Sequence, residues 1–438
     1  MKTETQRTRQ AETGTTPATM DEIWVQGGRR LSGRVAASGS KNATLPVLAA
    51  ALLAPGLYRF GNVPDLKDVA TMLDMLSRFG VTSRRTGPHD LEVDTQNQQN
   101  AEAPYELVKT MRASIYVLGP LLARYGEARV SLPGGCAWGP RPVDLHIKGM
   151  QALGAEVEID HGYIVARAPD GLRGANVAFD ISSVGATGNV LMAAASAAGR
   201  TVIENAACEP EIEALAIFLT SMGAVIEGLG TPRLVVTGTR ELRAADAAMI
   251  PDRIEVGTLL AAAAVTGGDV EVTGTDPAHL GAVLTKFEAT GASVEISDRS
   301  VRLRAPERPG SISVTTAPFP GFPTDMQAQF MALLSVGTGA STIVDTIYHD
   351  RFTHVAELQR LGADIRVEGN TAFVHGVERL SGAPVMATDL RASAALILAG
   401  LVAGGETRVS RVYHLDRGYE RMEEKLSALG ASVRRVRA

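Results

Sequence analysis

Cysteine is scarce in this chain, since Cys136 and Cys208 are the only two among 438 residues. Two cysteines that lie far apart cannot supply the ligand spacing of a zinc site or the dense pairing of a disulfide-stabilised fold. Their scarcity excludes a small secreted scaffold and predicts a cytoplasmic protein, because the cytoplasm keeps thiols reduced. No other pattern in the sequence calls for a metal or an organic cofactor.

A block of basic residues and a long apolar run are lacking too. The formal net charge is -5, and a chain of this kind is not expected to take nucleic acid or an anionic membrane as its main partner. The most apolar run, Leu45 to Leu57, contains Pro55 and Gly56 and is too short to span a bilayer. Residues 1–19 lack an apolar core, so we expect a disordered N-terminal extension and not a signal peptide.

Glycine is abundant, and part of it marks an internal repeat. A triplet of a hydrophobic residue, a glycine and a small apolar residue recurs six times at intervals of about 70 residues, with Thr290 as the one polar exception. An amphipathic pattern precedes each glycine and an alternating pattern follows most of them. This predicts surface helices that end at glycine and lead into strands. The six glycines are Gly80, Gly154, Gly223, Gly291, Gly362 and Gly430.

A second series of segments runs in step with the first. Six alanine-rich segments are almost fully apolar: LPVLAAALLAPG, SIYVLGPLLARYG, NVLMAAASAAG, EVGTLLAAAAVTGG, AQFMALLSVGTG and SAALILAGLVAGG. A helix without a polar face must be buried on all sides. Each unit is therefore predicted to carry one buried and one surface helix joined by strands, in an α/β fold with three such units per domain.

Cations stand directly before three of the predicted buried helices. Lys41, Arg112 and Arg391 occupy these positions, where they oppose the helix dipole and where unpaired N–H groups favour an anion. Ordinary helix capping accounts for Ser183 but not for these cations. If the units pack in parallel, the helix starts should converge on one anionic ligand.

The loop GGCAWGPRP, residues 134–142, contains Cys136 and Arg141. Glycine and proline at this density exclude a regular helix or a central strand. A free cysteine is commonly a small buried hydrophobe, whereas an accessible thiol beside a cation can be reactive. The residues alone leave both roles open.

Several segments of the sequence resemble those of a known family. The strings SGSKNATLPVLAA, LPGGCAWGPRPVDLHI, ENAACEPEI, FPTDMQAQF, ATDLRAS and YHLDRGYER are similar to signature segments of the UDP-N-acetylglucosamine enolpyruvyl transferases, from about Met20 to the C-terminus. The resemblance implies two inside-out α/β domains, each of three repeats of about 70 residues, with buried helices and outer sheets. We expect one domain at 42–250, with the cysteine loop, and the other at 20–41 plus 251–438.

The resemblance also implies a reaction and its partners. The family transfers the enolpyruvyl group of phosphoenolpyruvate to the 3′-hydroxyl of UDP-N-acetylglucosamine, with loss of phosphate, as the first committed step of peptidoglycan biosynthesis. The cysteine of the loop can act as an acid in this family and is alkylated by fosfomycin. The resemblance therefore favours a catalytic role for Cys136 over the role of a buried hydrophobic residue.

The remaining roles follow the family position by position. Lys41, Arg141, Arg391 and Arg417 are expected to hold phosphoenolpyruvate, and Asp325 to act as general base, with a helix cap as its alternative role. The expected substrate-binding residues are Lys41, Asn42, Arg112, Arg141, Pro142, Val143, Asp144, Leu145, Ser183, Val184, Gly185, Asp325 and Ile347. We expect His146 to be a structural hydrogen-bonding residue, and Glu209, Glu211, Asp252 and Arg253 to support the domain junction.

Departures from the family and competing functions are part of the same hypothesis. Ile181 stands where some relatives have a lysine, and Trp138 and Pro140 are bulkier and stiffer than expected in the cysteine loop. The sister enzyme 5-enolpyruvylshikimate-3-phosphate synthase, a non-catalytic nucleotide-sugar sensor and a repeat-built clamp are the alternatives. The GGC loop and RPVDLHI favour the sugar nucleotide, and the joint presence of Cys136, Asp325, Lys41 and Arg417 argues against a sensor.

Overall fold

The computed structural model describes residues 21–99, 102–109, 111–132, 143–348 and 350–437. The predicted N-terminal extension lies outside these residues.

The strands of the described residues are β1 (Glu22–Gln26), β2 (Ser32–Ala36), β3 (Leu57–Gly61), β4 (Thr82–Arg85), β5 (Leu91–Asp94), β6 (Glu102–Ala103), β7 (Glu127–Ser131), β8 (Glu156–Asp160), β9 (Tyr163–Arg167), β10 (Asn176–Ala178), β11 (Arg200–Glu204), β12 (Val225–Glu227), β13 (Arg233–Thr237), β14 (Ala247–Ala248), β15 (Asp269–Thr273), β16 (Ser293–Ser297), β17 (Ser300–Arg304), β18 (Ser313–Thr315), β19 (Ala340–Val344), β20 (Asp364–Glu368), β21 (Thr371–His375), β22 (Pro384–Met386), β23 (Glu406–Ser410) and β24 (Ser432–Val436).

The α-helices are α1 (Lys41–Ala50), α2 (Lys67–Arg78), α3 (Tyr105–Val108), α4 (Leu118–Tyr125), α5 (Asp144–Ala152), α6 (Val184–Ser196), α7 (Pro210–Ser221), α8 (Arg253–Val265), α9 (Gly281–Ala289), α10 (Gln327–Leu334), α11 (Val355–Arg360), α12 (Leu390–Val402) and α13 (Met422–Ala428). Short 3-10 helices cover Ala51–Leu53, Arg112–Val117, Pro277–Leu280, Thr324–Met326 and Val412–Arg417.

The described strands form six sheets of four strands each. Each sheet combines one parallel pair with two antiparallel pairs: β10 pairs in parallel with β11, which pairs antiparallel with β13, which pairs antiparallel with β12. In this sheet the buried helix α6 connects the two parallel strands. The strand orders are β14-β3-β5-β4, β6-β7-β9-β8, β10-β11-β13-β12, β16-β17-β15-β2, β18-β19-β21-β20 and β22-β23-β1-β24. The predicted repeat is confirmed.

The six alanine-rich segments form the buried helices α1, α4, α6, α8, α10 and α12. In α12 every residue from Arg391 to Leu401 is buried. Asp389 caps the start of this helix, and its carboxylate accepts hydrogen bonds from the backbone N–H groups of Arg391 and Ala392 at 2.8 and 3.1 Å. This cap satisfies N–H groups that would otherwise be buried without a partner.

Each predicted surface helix ends at the expected glycine. These six glycines have φ between 80° and 117°, a backbone conformation that other residues adopt only with strain. Two of the alanine-rich segments end in a pair of nearby glycines, Gly337 and Gly339 in one and Gly404 and Gly405 in the other. In each pair the second glycine, Gly339 or Gly405, has the left-handed conformation.

The helices are enclosed in two hydrophobic cores. One core consists of side chains between residues 45 and 249, and the other of residues 23–31 and 254–431. The N-terminal strand β1 lies between β23 and β24 in the second unit. These two cores support the predicted division of the chain at 41/42 and 250/251, which we keep as a proposal.

The two crossings of the chain between the cores lie side by side. The backbone N–H of Ser40 donates to the carbonyl of Ile250 at 2.7 Å, and that of Asp252 donates to Ser38 at 2.9 Å. The two crossings therefore form a short paired ribbon.

None of the helices in the described ranges is long and apolar enough to cross a membrane. Within those ranges, no group of three or more His, Cys, Asp or Glu side chains is arranged to hold a metal ion.

Candidate active site

The starts of several buried helices bring charged side chains together between the two cores. Lys41 is the first residue of α1, Arg391 the second of α12, and Asp325 lies in the 3-10 turn before α10. Arg417 ends the 3-10 helix 412–417. The electrostatic interactions of Lys41 with Asp325, Arg391 and Arg417 place these four predicted residues in one cluster.

Asp325 is held by two arginines. Arg351 Nη1 donates to its Oδ1 and Arg391 Nη2 donates to its Oδ2, each at 2.8 Å. Burial alone would raise the pKa of Asp325, but the charges of Arg391 and Arg351 outweigh burial and hold this pKa well below its usual value. The alternative role of Asp325 as a helix cap is wrong, because the cap position is Pro323 and the carboxylate makes no capping bond.

Arg391 is the group in the cluster with the clearest capacity for a ligand. Its side chain is 2% exposed, and its Nη2 is used on Asp325. Its Nε and Nη1 have no hydrogen-bond partner of good geometry among the described residues, although the Tyr419 hydroxyl lies close enough to interact with the guanidinium. The guanidinium also lies over the ring of Tyr419, 5.3 Å from the centroid. Buried donors without a partner are costly, so these two N–H groups favour an anionic acceptor.

Asp68 is a member of the cluster that sequence reasoning missed. It lies in the first turn of α2, a surface helix, yet only 4% of the residue is exposed. Arg417 Nε donates to its Oδ1 at 2.8 Å, and Lys41 Nζ lies 3.6 Å from its Oδ2. Burial lowers the pKa of Lys41, and Asp68 opposes this shift.

Arg351 was missed as well. It stands in the turn that precedes α11, and no local pattern distinguishes YHDRF from an ordinary polar loop. Its side chain is 8% exposed. The cluster thus holds four cations (Lys41, Arg351, Arg391 and Arg417) against the carboxylates of Asp68 and Asp325. We call it the cationic cluster. Asp252 and Asp389 lie close enough to act on Arg391 and Arg351 as well. Four cations at one place favour an anionic ligand that accepts several hydrogen bonds.

A second group of predicted residues lies around the start of α6. Ser183 caps this helix by accepting from the N–H of Ala186 at 3.3 Å. The ring of buried His146 lies against Gly185, since a Cβ there would come within 3.1 Å of its Nε2. Burial, with a smaller contribution from the charge of Arg112, lowers the pKa of His146 to about 3. Arg112, Gly185 and His146 are therefore neighbours.

His146 has the structural environment that the sequence suggested. The side-chain amide of Asn189 donates to its Nδ1 at 3.0 Å. The same amide donates to the carbonyl of Ile115 at 2.7 Å, and its oxygen accepts from the N–H of Gly119 at 2.6 Å. Asn189 thereby joins three segments of the first core.

The other predicted site residues are distributed around these two groups. Val143 and Asp144 begin α5, where Asp144 is exposed and lies 4.0 Å from Lys148, and Leu145 is buried. Asn42 and Val184 are half-buried in the first turns of α1 and α6. Cys136, Arg141 and Pro142, together with Trp138 and Pro140, lie outside the described residues.

Ile347 and its neighbour Tyr348 occupy a turn on the second core's side of the site. The backbone N–H groups of both residues donate to Asp345 Oδ1 at 2.9 Å. Asp345 is fully buried, and its acceptor role was not visible in the sequence because its partners include distant side chains.

The predicted domain-junction residues make contacts between the cores. Arg253 donates to Glu211 from Nε at 3.1 Å and from Nη2 at 3.4 Å. The carboxylate of Asp252 caps α8 and also accepts from the backbone N–H of Lys41 at 3.2 Å. Glu209 accepts a long bond from the N–H of Phe319 at 3.5 Å.

Comparison with known proteins assigns a class to this fold and site. The family model for EPSP synthase (3-phosphoshikimate 1-carboxyvinyltransferase) matches residues 25–426. The enolpyruvyl transferase NikO from Streptomyces tendae superposes with a TM-score of 0.84 at 26% identity, covering 96% of this chain and 100% of its own. The chain is thus an enolpyruvyl, or carboxyvinyl, transferase.

Closer relatives narrow the class to one family. A UDP-N-acetylglucosamine 1-carboxyvinyltransferase from Chlorobaculum parvum is 57% identical over 418 residues, which cover 95% of this chain and 98% of that protein. One from Desulfosudis oleivorans is 54% identical over 417 residues, with 95% and 100% coverage. The chain belongs to the UDP-N-acetylglucosamine 1-carboxyvinyltransferase family.

Proposed function

We propose that this enzyme transfers the enolpyruvyl group of phosphoenolpyruvate to the 3′-hydroxyl of UDP-N-acetylglucosamine, as the first committed step of peptidoglycan biosynthesis. The observation that carries the proposal is the cationic cluster, in which four cations surround two carboxylates and in which two buried N–H groups of Arg391 have no hydrogen-bond acceptor of good geometry among the described residues. The family's named acceptor and transferred group supply the substrates. A cytoplasmic location, inferred from cysteine usage, belongs to the same proposal.

The reaction is an addition followed by an elimination. The sugar 3′-oxygen forms a bond to C2 of phosphoenolpyruvate and loses its proton, while C3 gains a proton. The C2–O bond to phosphate then breaks, phosphate leaves with the bonding electrons, and C3 returns a proton. Atoms and charge balance without a cofactor, so the protein must bind, orient and move protons.

The cationic cluster is proposed to bind phosphoenolpyruvate. Lys41, Arg391 and Arg417 would hold its phosphate and carboxylate, together with Arg141 of the cysteine loop. Charge-assisted bonds of this type also stabilise the negative charge that develops on the departing phosphate. Arg351 holds Asp325 and so serves the base rather than the anion.

Asp325 is proposed as the general base and Cys136 as the acid that protonates C3. A carboxylate held by two guanidinium groups is a weak base. A phosphate bound against Arg391 would offset part of that positive charge and raise the pKa of Asp325 toward a useful range. Substrate binding would thus activate its own base.

The group around α6 is proposed to bind the sugar nucleotide. Arg112 offers a cation for the diphosphate, and the capped start of α6 offers backbone N–H groups beside it. Asn42, Ser183–Gly185 and Ile347 would contact the sugar, and residues 141–145 the uridine end. Fosfomycin, by this proposal, alkylates Cys136.

Phosphate release on mixing the purified enzyme with both substrates tests the function. Release should require UDP-N-acetylglucosamine and should not occur when shikimate 3-phosphate replaces it. Release with shikimate 3-phosphate alone would favour the sister enzyme, and binding of the sugar nucleotide without any phosphate release would favour a non-catalytic sensor.

A further inference from the structure

Tyr348 contacts the site from the second core but is assigned no role by the mechanism above. Its hydroxyl accepts a hydrogen bond from Arg112 Nη1 at 3.3 Å. Arg112 begins the 3-10 helix 112–117 of the first core, so this bond spans the cleft between the cores. Both side chains are half-buried.

The backbone of Tyr348 is fixed by an anchor that it shares with the base. Asp345 Oδ1 accepts from the N–H of Tyr348 at 2.9 Å, and Asp345 Oδ2 accepts from the hydroxyl of Thr324 at 2.7 Å. Thr324 directly precedes Asp325 in the 3-10 turn 324–326. The turn that holds Tyr348 and the turn that holds the base therefore have one buried carboxylate in common.

The ring of Tyr348 makes the second connection to the base. The guanidinium of Arg351 lies 5.5 Å from the ring centroid, within the range of a cation–π contact. Arg351 in turn donates to Asp325 Oδ1 at 2.8 Å. One side chain thus contacts the proposed nucleotide cation with its hydroxyl and the partner of the base with its ring.

The geometry points to Tyr348 as a positioning residue whose hydroxyl holds Arg112 across the cleft in the orientation that binds the sugar nucleotide. This inference rests on the proposed function. Arginine has many rotamers, and fixing it before binding removes part of the entropy cost of recognising a diphosphate. Because the ring packs on Arg351 without the hydroxyl, the two contacts can be separated by one substitution.

The substitution Tyr348→Phe removes the hydroxyl and keeps the ring. We expect about a tenfold rise in the KM for UDP-N-acetylglucosamine, the size of one lost hydrogen bond to a charged group. The kcat and the KM for phosphoenolpyruvate should change less than twofold. Tyr125→Phe is the matched control, since its hydroxyl lies 3.4 Å from the carbonyl of Gln98, away from the site. It should change none of these constants.

A double-mutant cycle with Arg112→Ala tests whether the hydroxyl acts through Arg112. In that background Tyr348→Phe should have no further effect on the sugar-nucleotide KM. Independent losses would mean that the hydroxyl contacts the ligand directly, and a wild-type KM for Tyr348→Phe would leave it without a role. Either result overturns the inference.

Calorimetric titration with UDP-N-acetylglucosamine separates this inference from the proposed function. The tenfold weakening should appear in the Kd of Tyr348→Phe whether or not phosphate is released. If the wild type releases no phosphate but Tyr348→Phe still binds UDP-N-acetylglucosamine about tenfold more weakly, only the proposed function is refuted. If the wild type is fully active and the wild type and Tyr348→Phe have equal Kd values for UDP-N-acetylglucosamine, only the inference about Tyr348 is refuted.

Discussion

At the scale of single residues, the geometry of the site depends on the pairing of its carboxylates with its cations. Asp325 lies between Arg351 and Arg391, and Asp68 between Lys41 and Arg417. Each carboxylate keeps cations ordered that would otherwise repel one another. The charge balance is therefore set by two acids that do not themselves bind the anion.

Replacing Asp325 by asparagine tests its role as base. The amide is isosteric but cannot accept the proton of the 3′-hydroxyl, so kcat should fall by roughly 10²- to 10⁴-fold. The Kd for UDP-N-acetylglucosamine should stay within about twofold of the wild-type value, since the contacts that bind the ground state are retained. Asp364→Asn, at an exposed strand position, is the control. Near-normal turnover of Asp325→Asn would refute the assignment.

Cys136 and Cys208 should differ sharply toward fosfomycin. Burial, and then the charge of Glu209, raise the pKa of Cys208, so its reactive thiolate is suppressed. We expect an adduct on Cys136 only, formed faster with UDP-N-acetylglucosamine present, and none in Cys136→Asp. Intact-mass and peptide-mapping spectrometry measures this. An adduct on Cys208, or none on Cys136 with sugar nucleotide present, would contradict it.

The sequence predicted Lys41, Asp325, Arg391 and Arg417 but not Asp68, Arg351 or Tyr348. Lys41, Asp325 and Arg391 lie at or near starts of buried helices, where position along the chain already indicates an anion site. Arg417 ends a 3-10 helix and was predicted from the family resemblance alone. The missed residues lie on a surface helix and in a loop. Their roles come from partners that are distant in sequence, as Asp68 and Arg417 are, and no local pattern records such a pair.

At the scale of elements, six apolar helices are the feature that the sequence predicted best. A segment such as SAALILAGLVAGG has no polar face, so burial follows from composition alone. Sheet pairing is less visible, because the short edge strands, such as β14 with two residues, carry no alternating pattern. The strand order therefore cannot be predicted from the sequence pattern.

Asn189 is the element-scale connection most open to test. Its side chain links the 3-10 helix 112–117, α4 and His146 of α5 to its own helix, α6. Asn189→Ala removes the side-chain acceptor of the Gly119 N–H and one of two donors to the buried carbonyl of Ile115, which also accepts from the N–H of Leu118. The free energy of unfolding should fall by about 2 kcal/mol or more. Urea denaturation measures the change, with the exposed Asn97→Ala as control. An unchanged midpoint would show that water replaces the amide.

At the scale of the whole molecule, buried neutral histidines make stability depend on pH. His146 has a pKa near 3 and His354 near 4, both lowered chiefly by burial, against a usual value of about 6.5. Below pH 6.5 these histidines bind protons in the unfolded chain but stay neutral in the folded chain. The free energy of unfolding therefore decreases as the pH falls toward these pKa values. Above pH 6.5 both states are neutral and the effect disappears.

Substitution of His146 checks the sign and size of this effect. The wild type should lose up to about 1.4 kcal/mol per pH unit from His146 between pH 6.5 and pH 3. His146→Gln should be less stable at pH 7.5 but should show a shallower decline on acidification. His161→Gln, at an exposed turn, should keep the wild-type slope. Parallel slopes for all three proteins would refute the argument.

By the proposed division of the chain at 41/42 and 250/251, the paired ribbon formed by residues 38–40 and 250–252 makes one unit an insertion within the other. Because the chain leaves and re-enters at the same point, residues 42–250 can be excised and the gap closed by a short glycine turn without stretching what remains. The remaining core retains β1 between β23 and β24 and should unfold cooperatively in denaturant. It should be inert toward both substrates, because Asp68 and Arg112 leave with the excised segment. Such a result would make foldable modules and catalytic competence separable properties of one gene product.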